Sequence, residues 1–182
     1  MSKGKLFVIS GCSGVGKSTV LKQVLKLRPD VRFSVSATTR APREGEEEGV
    51  SYYFVSHEKF RQMIDENAFV EYDDHMENFY GTPRAQLEEK LEIGHVILDI
   101  EPVGAFNVRR QRPDATLIFI APPSMEELER RLRSRGDTDE AQIKVRLERA
   151  KWEMEQSSKY DYIVINDVVE HCVDEILKLI SK

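Results

Sequence analysis

Apolar residues fall along this chain in two rhythms. Unbroken apolar runs occur at Leu6-Phe7-Val8-Ile9, His95-Val96-Ile97-Leu98-Asp99-Ile100, Thr116-Leu117-Ile118-Phe119-Ile120 and Tyr162-Ile163-Val164-Ile165. Short runs of this kind predict strands buried on both faces, as in a parallel sheet. Between them the spacing turns helical. Val20, Leu21, Val24 and Leu25 mark a helix that ends before Pro29. A further helix is predicted from Arg84 to Leu91. Ser124 with Glu127 reads as a capping box opening a helix through Arg133. Arg135-Gly136-Asp137 breaks that helix, and Asp137 with Glu140 starts a long one with Ile143, Leu147, Ala150 and Met154 on its apolar stripe. Val169, Val173, Ile176, Leu177 and Ile180 mark the closing helix. Strands alternating with helices predict an α/β fold, a parallel sheet flanked by helices.

Residues 33–83 break the rhythm. Phe33-Ser34-Val35-Ser36 reads as a short strand. Ala37-Thr38-Thr39-Arg40-Ala41-Pro42-Arg43 reads as a loop with two arginines around a proline. An acidic, glycine-flanked turn follows at 44–49, then a strand at Tyr52-Tyr53-Phe54-Val55. Ser56 is an N-cap for a helix with Phe60, Met63 and Ile64 on its apolar side. Ala68 to Tyr72 reads as a strand carrying Glu71, and Asn78-Phe79-Tyr80-Gly81-Thr82-Pro83 as a turn. The segment is thus expected to be a small mixed α/β insertion.

Composition narrows the function classes. The 182 residues fit one domain, and 40% hydrophobic with 32% charged content fits a soluble globular chain. A formal net charge of −5 argues against nonspecific nucleic-acid binding. No apolar run reaches membrane length, and Met1-Ser2-Lys3-Gly4-Lys5 leads into a strand rather than a signal peptide. Cys12 and Cys172 are the two cysteines, and a reducing cytoplasm suits them. Cys12 lies next to a predicted helix start, so it reads either as a reactive thiol or as a small tolerated side chain. No obligate protein partner is evident.

The densest chemistry is Gly11-Cys12-Ser13-Gly14-Val15-Gly16-Lys17-Ser18, followed by Thr19. It fits the phosphate-loop pattern and lies between a predicted strand and a predicted helix, the context that pattern requires. Its glycines let backbone N–H groups converge on phosphate oxygens at a helix N-terminus. Lys17 is placed to reach the β- and γ-phosphates, and Ser18 to ligate Mg²⁺. The motif implies a nucleoside triphosphate and leaves the phosphoryl acceptor open. The apolar run ending in Asp99 is the Walker B type of strand, whose carboxylate would face the Mg²⁺ region.

Three arginine pairs recur near loops: Arg40 with Arg43, Arg133 with Arg135, and Arg146 with Arg149. Arg40 and Arg43 could clamp a second phosphate, with Tyr52 and Tyr80 donating hydroxyls, or the tyrosines could simply pack the insertion. The other four arginines flank a helix break, the anatomy of a mobile lid that brings positive charge to a transferring phosphoryl group. The histidines His57, His75, His95 and His171 show no metal-ligand spacing and read as structural.

Across essentially its whole length the chain resembles the guanylate kinases. The resemblance rests on the phosphate loop, Ser34-Val35-Ser36-Ala37-Thr38-Thr39-Arg40-Ala41-Pro42-Arg43-Glu44-Gly45, the Tyr52 and Glu71 strands, Asn78-Phe79-Tyr80-Gly81-Thr82, Leu98-Asp99-Ile100 and Arg133-Ser134-Arg135-Gly136. It implies Mg²⁺-dependent transfer of the ATP γ-phosphoryl group to GMP, and to dGMP. It implies a core of 1–33, 84–123 and 157–182, a GMP-binding lobe of 34–83 and a helical lid of 124–156. Arg40, Arg43, Tyr52 and Tyr80 would hold the GMP phosphate. Ser36, Glu71 and Thr82 would read guanine, with Asp99 and Glu101 near the nucleotide and Asn166 at the adenine pocket. Lys17, Arg40, Arg133, Arg135, Arg146 and Arg149 would be the catalytic cations. The chain departs from the family at Glu101-Pro102-Val103, where Asp, an aromatic or Met, and Gln are usual, and at Cys12, where Pro is usual. Pro102 is expected to remove a backbone donor there.

Overall fold

A computed structural model describes residues 3–75, 77–134 and 139–181. Its centre is a five-stranded parallel sheet. The strands are β1 (Leu6–Gly11), β2 (Arg32–Phe33), β7 (Val96–Asp99), β8 (Thr116–Ala121) and β9 (Tyr162–Ile165), in the order β2-β7-β1-β8-β9. Helices α1 (Lys17–Leu27), α3 (Arg84–Ile93), α4 (Pro102–Gln111), α5 (Met125–Ser134), α6 (Glu140–Gln156) and α7 (Val169–Ile180) accompany it. Leu6 to Ile9, Val96 to Leu98 and Leu117 to Ile120 are all buried, so these strands form the main core, as their unbroken apolar runs predict.

A second sheet has four strands in the order β4-β3-β6-β5. They are β3 (Ala37–Thr38), β4 (Tyr53–Phe54), β5 (Phe69–His75) and β6 (Asn78–Pro83). Helix α2 (His57–Asp65) covers them, capped by Ser56, whose hydroxyl accepts from the Lys59 N–H. A separate small core holds Ala37, Phe60 and Phe69, with Phe79 packed on it. The Phe60 ring stacks on Phe69 at 4.4 Å and on Phe79 at 5.3 Å.

The structure corrects three local expectations and adds one helix. Asn78–Pro83 is a strand, not a turn; it pairs antiparallel with β5 and also with β3. Gly81 serves packing there, since a Cβ would meet the Phe69 and Phe60 rings at 2.9–3.0 Å. The expected strand at 33–36 is divided: Arg32–Phe33 joins the large sheet, while Ala37–Thr38, expected as loop, joins the small one. The capping box at α5 is half made. The Glu127 N–H donates to Ser124 Oγ at 3.1 Å, but the Glu127 carboxylate binds Arg130 and Arg131. Helix α4 is absent from the apolar pattern, and Pro102 occupies its first turn. There the missing N–H has no helical acceptor to lose, so Pro102 is compatible with the helix. Helix α6 is capped by Asp139, whose side chain accepts from the Gln142 N–H; the cap expected at Asp137 lies outside the described residues.

Candidate active site

Chain topology brings the chemistry to one edge of the large sheet. The phosphate loop follows β1, Asp99 ends β7 and Asn166 follows β9, all at the C-terminal ends of parallel strands, where open α/β sheets bind ligands. Parallel pairing sets Ile9 beside Asp99, so the carboxylate lies next to the start of the loop. Lys17 and Asp99 form an ion pair. Burial alone would lower the Lys17 pKa; Asp99, with Glu101 and Glu153 behind it, raises it on balance, so the ammonium stays charged.

The loop has the backbone that phosphate binding needs. Gly14 and Gly16 stand at φ 85° and 96°, conformations that favour glycine. Among the described residues, the N–H groups of Gly14, Gly16, Lys17 and Ser18 have no intramolecular acceptor. These are the orphan donors of a helix N-terminus, suited to anions. Asn166 braces the loop from beneath, its Nδ2 donating to the Val15 carbonyl at 2.7 Å. Cys12 is buried, and burial with the nearby Glu153 charge pushes its thiol up to about 12. It is therefore a packed thiol rather than a reactive thiolate.

Two concavities meet at Lys17 and Ser18. The first, of ≈ 430 Å³, runs from these residues to the small sheet, past Ser36, Tyr52, Glu71, Tyr80, Asp99, Glu101 and Gly104 to Arg149. The second lies over the loop from Gly11 to Thr19 and is walled by Glu101, Arg146 and Arg149. Sequence-predicted residues from distant segments thus share one continuous region.

Glu71 is buried, and it faces Thr82 directly across β5 and β6. Thr82 Oγ1 donates to Glu71 Oε1 at 2.6 Å. Burial pushes the Glu71 carboxyl up to about 7, against the lowering effect of the Thr82 hydroxyl. On its other side lies Gly104 of α4, where a Cβ would stand 2.8 Å from Glu71 Oε2. Tyr52 and Tyr80 pack edge to face with ring centroids 6.1 Å apart, and the Arg40 guanidinium lies over the Tyr52 ring at 5.4 Å.

Not every predicted residue reaches the cavity. Arg40 is held by Glu46 through two hydrogen bonds of 2.8 and 3.1 Å. Arg43 is exposed and lines neither concavity. Arg133 pairs with Glu129 and Glu140 between α5 and α6, away from the loop. Arg135 lies outside the described residues. Sequence reading missed Glu153, a buried carboxylate that accepts from the Ser13 N–H at 2.9 Å and from Arg149 Nε at 3.1 Å. Its signal was present: Glu153 shares the buried face of α6 with Ile143 and Ala150, where a charge is out of pattern. Glu46, the partner of Arg40, gave no such signal in its acidic turn.

Histidines take structural contacts: His95 Nδ1 accepts from the Lys5 N–H at 2.9 Å, and His57 Nε2 lies 3.2 Å from the Glu77 carbonyl. Among the described residues no cluster of three or more His, Cys, Asp or Glu could hold a metal. Ser18, Asp99 and Glu101 supply oxygen donors on one cavity, which suits Mg²⁺ held by few protein groups plus phosphates. No described helix is long and apolar enough to cross a membrane.

Comparison with known proteins places this architecture. The family model described as "Guanylate kinase" matches residues 3–182. A guanylate kinase of Synechococcus sp. is 46% identical over 180 residues, covering 98% of this chain and 83% of that protein. One from Prochlorococcus marinus is 49% identical over 177 residues, covering 97% and 96%. The crystal structure of guanylate kinase from Anaplasma phagocytophilum superposes with a TM-score of 0.79 at 34% identity, covering 100% of this chain and 86% of that one. A family match over nearly the whole sequence, together with a shared fold, shows that the chain belongs to the guanylate kinase family.

Proposed function

We propose that the chain moves the γ-phosphoryl group of ATP to GMP, and also to dGMP, giving ADP and the corresponding diphosphate. One observation carries the reading: a single cavity joins the phosphate-loop residues Lys17 and Ser18 to the buried carboxylate of Glu71. Guanine presents N1–H and N2–H₂ donors along one edge, and an ionised Glu71 accepts from both. Adenine offers an acceptor at N1 and no amino group at C2, leaving a buried carboxylate unpaired. Sites built on such pairing reject the wrong partner by about 10⁴–10⁵. Ser36 lines the same cavity, and Thr82 holds Glu71 in place.

Phosphoryl transfer needs positioning and charge neutralisation more than a strong base. ATP phosphates would lie on the N–H groups of the loop, with Lys17 on the β- and γ-oxygens. Ser18, with Asp99 and Glu101 beyond it, would hold Mg²⁺, which neutralises charge on the phosphates when bound. The GMP phosphate is the nucleophile, oriented by Arg40, Arg43, Tyr52 and Tyr80. Arg146 and Arg149 border the loop and would stabilise charge on the moving group. Arg133 and Arg135 are assigned to the same lid. Arg40 would exchange Glu46 for phosphate when GMP binds.

An ADP-release assay with Mg·ATP, offering GMP, dGMP, AMP, CMP and UMP separately, tests this. Turnover is expected with GMP and dGMP. Turnover with AMP at a comparable rate would remove Glu71 from its base-reading role. Silence with all five, from folded protein, would remove the kinase reading.

A further inference from the structure

The C-terminal half of α6 is fastened to the phosphate loop. Cys12 Sγ donates to the Ala150 carbonyl at 3.7 Å, the Ser13 N–H donates to Glu153 Oε2 at 2.9 Å, and Arg149 Nε donates to Glu153 Oε1 at 3.1 Å. Glu153 is 1% exposed, and its two oxygens are divided between the loop and the arginine. The far end of Arg149 behaves differently: its Nη2 pairs with Glu101, a residue in contact with solvent.

A buried anion beside a phosphate site needs a reason. Its desolvation is costly, and a neutral side chain of similar volume would fill the space with less penalty. It also repels the ligand that the loop is built to receive. What it gains is control of Arg149: with Nε fixed, the planar guanidinium has little freedom left, and its Nη edge is the part that can change partner.

We propose that Glu153 is a positioning residue for phosphoryl transfer, holding Arg149 by its Nε and tying that arginine to the phosphate loop through Ser13. This rests on the kinase reading above. Arg149 is then pre-organised with the loop rather than delivered by closure. Glu101 is its exchangeable partner and gives way to phosphate oxygens, while Glu153 stays bound. Arg133 is instead anchored to Glu129 and Glu140, not to the loop. Arg133 and Arg149 are therefore held by different partners.

A double-mutant cycle on the full chain tests this, reading ADP release with GMP for wild type, Glu153→Gln, Arg149→Ala and the pair. Glu153→Gln is expected to lower kcat roughly 10- to 100-fold and to leave the KM for GMP within about twofold. In the Arg149→Ala background it should change kcat little, because the group it positions is gone. Wild-type kcat in Glu153→Gln, or equal losses in both backgrounds, would overturn the proposal. If Glu153→Gln fails to fold, Arg149→Lys decides, since it keeps the charge and loses the Nε anchor. Loss comparable to Arg149→Ala supports the proposal, and wild-type kcat overturns it. The wild-type rate separates the two readings: a silent wild type removes the kinase function, whereas an active one with additive variants removes only the role of Glu153.

Discussion

In the base-reading role proposed for it, Glu71 would carry specificity at a cost in stability. Its carboxyl is raised to about 7 because burial disfavours the charge more than the Thr82 hydroxyl favours it. Only the ionised form accepts two hydrogen bonds from guanine. The kcat/KM for GMP is therefore expected to fall about tenfold per pH unit below pH ~7, while Glu71→Gln loses that pH dependence along with most activity. A stopped assay across pH 5.5–8.5 (roughly this window) checks it, and a flat wild-type profile would contradict it. Stability should run the other way. Between the unfolded value of 4.5 and about 7 the folded chain holds more protons than the unfolded one. Stability is thus greatest below that interval and is lost as pH rises through it. Glu71→Gln removes this dependence and is expected to stabilise the protein at pH 8, by at most on the order of 3 kcal/mol. Urea melts at pH 5 and pH 8 would show the sign.

At the scale of elements, α4 is the bridge between the two sheets. It packs against β1 of the large sheet and β5 of the small one, so the departure at Glu101-Pro102-Val103 falls at its start. Pro102 fits the first turn, and Val103 is 43% exposed, so neither disturbs the helix. The sensitive position is Gly104, whose missing side chain makes room for the Glu71 carboxylate. Gly104→Ala should displace Glu71 and raise the KM for GMP by about tenfold or more, with the KM for ATP nearly unchanged; misplacement of about 1 Å can cost as much as 10²-fold. Equal effects on both nucleotides would show that α4 is disturbed as a whole. Element boundaries were least legible where polar and turn-forming residues enter strands. Asn78–Pro83 has the composition of a turn, yet the partners on both sides of it supply a ladder that no local signal reveals.

For the whole molecule, the arrangement of two sheets around one cavity implies coupling between ligand and stability. GMP at about 100 times its Kd should add about 2.7 kcal/mol by mass action, a rise in Tm of roughly 5–11 °C for a chain of this size. AMP at the same concentration should leave Tm nearly unchanged. A shift with AMP equal to that with GMP would place binding at the phosphate loop alone. Arg40 is paired with Glu46 and Arg43 is exposed, so under the proposed assignment GMP has to displace Glu46 from Arg40.

Sequence alone determined the central strands β1, β7 and β8, because strands buried on both faces must be apolar throughout; β9 is as apolar yet lies at the sheet edge with Tyr162, Ile163 and Ile165 exposed. It also determined the phosphate loop, because its backbone geometry demands glycines at fixed spacing and a lysine in the next position. The resemblance singled out Glu71 and Thr82 as partners in reading the base. Tertiary structure decided what depends on contacts between distant segments. It set Thr82 and Gly104 on two sides of the Glu71 carboxylate. It engaged Arg40 with Glu46, and it placed Glu153, 140 positions from Ser13, under the loop. Such pairings leave no local trace, since each side chain satisfies its own helix or strand equally well before the chain closes on itself. Only the packed molecule, by withdrawing these charges from water, requires each to find its partner.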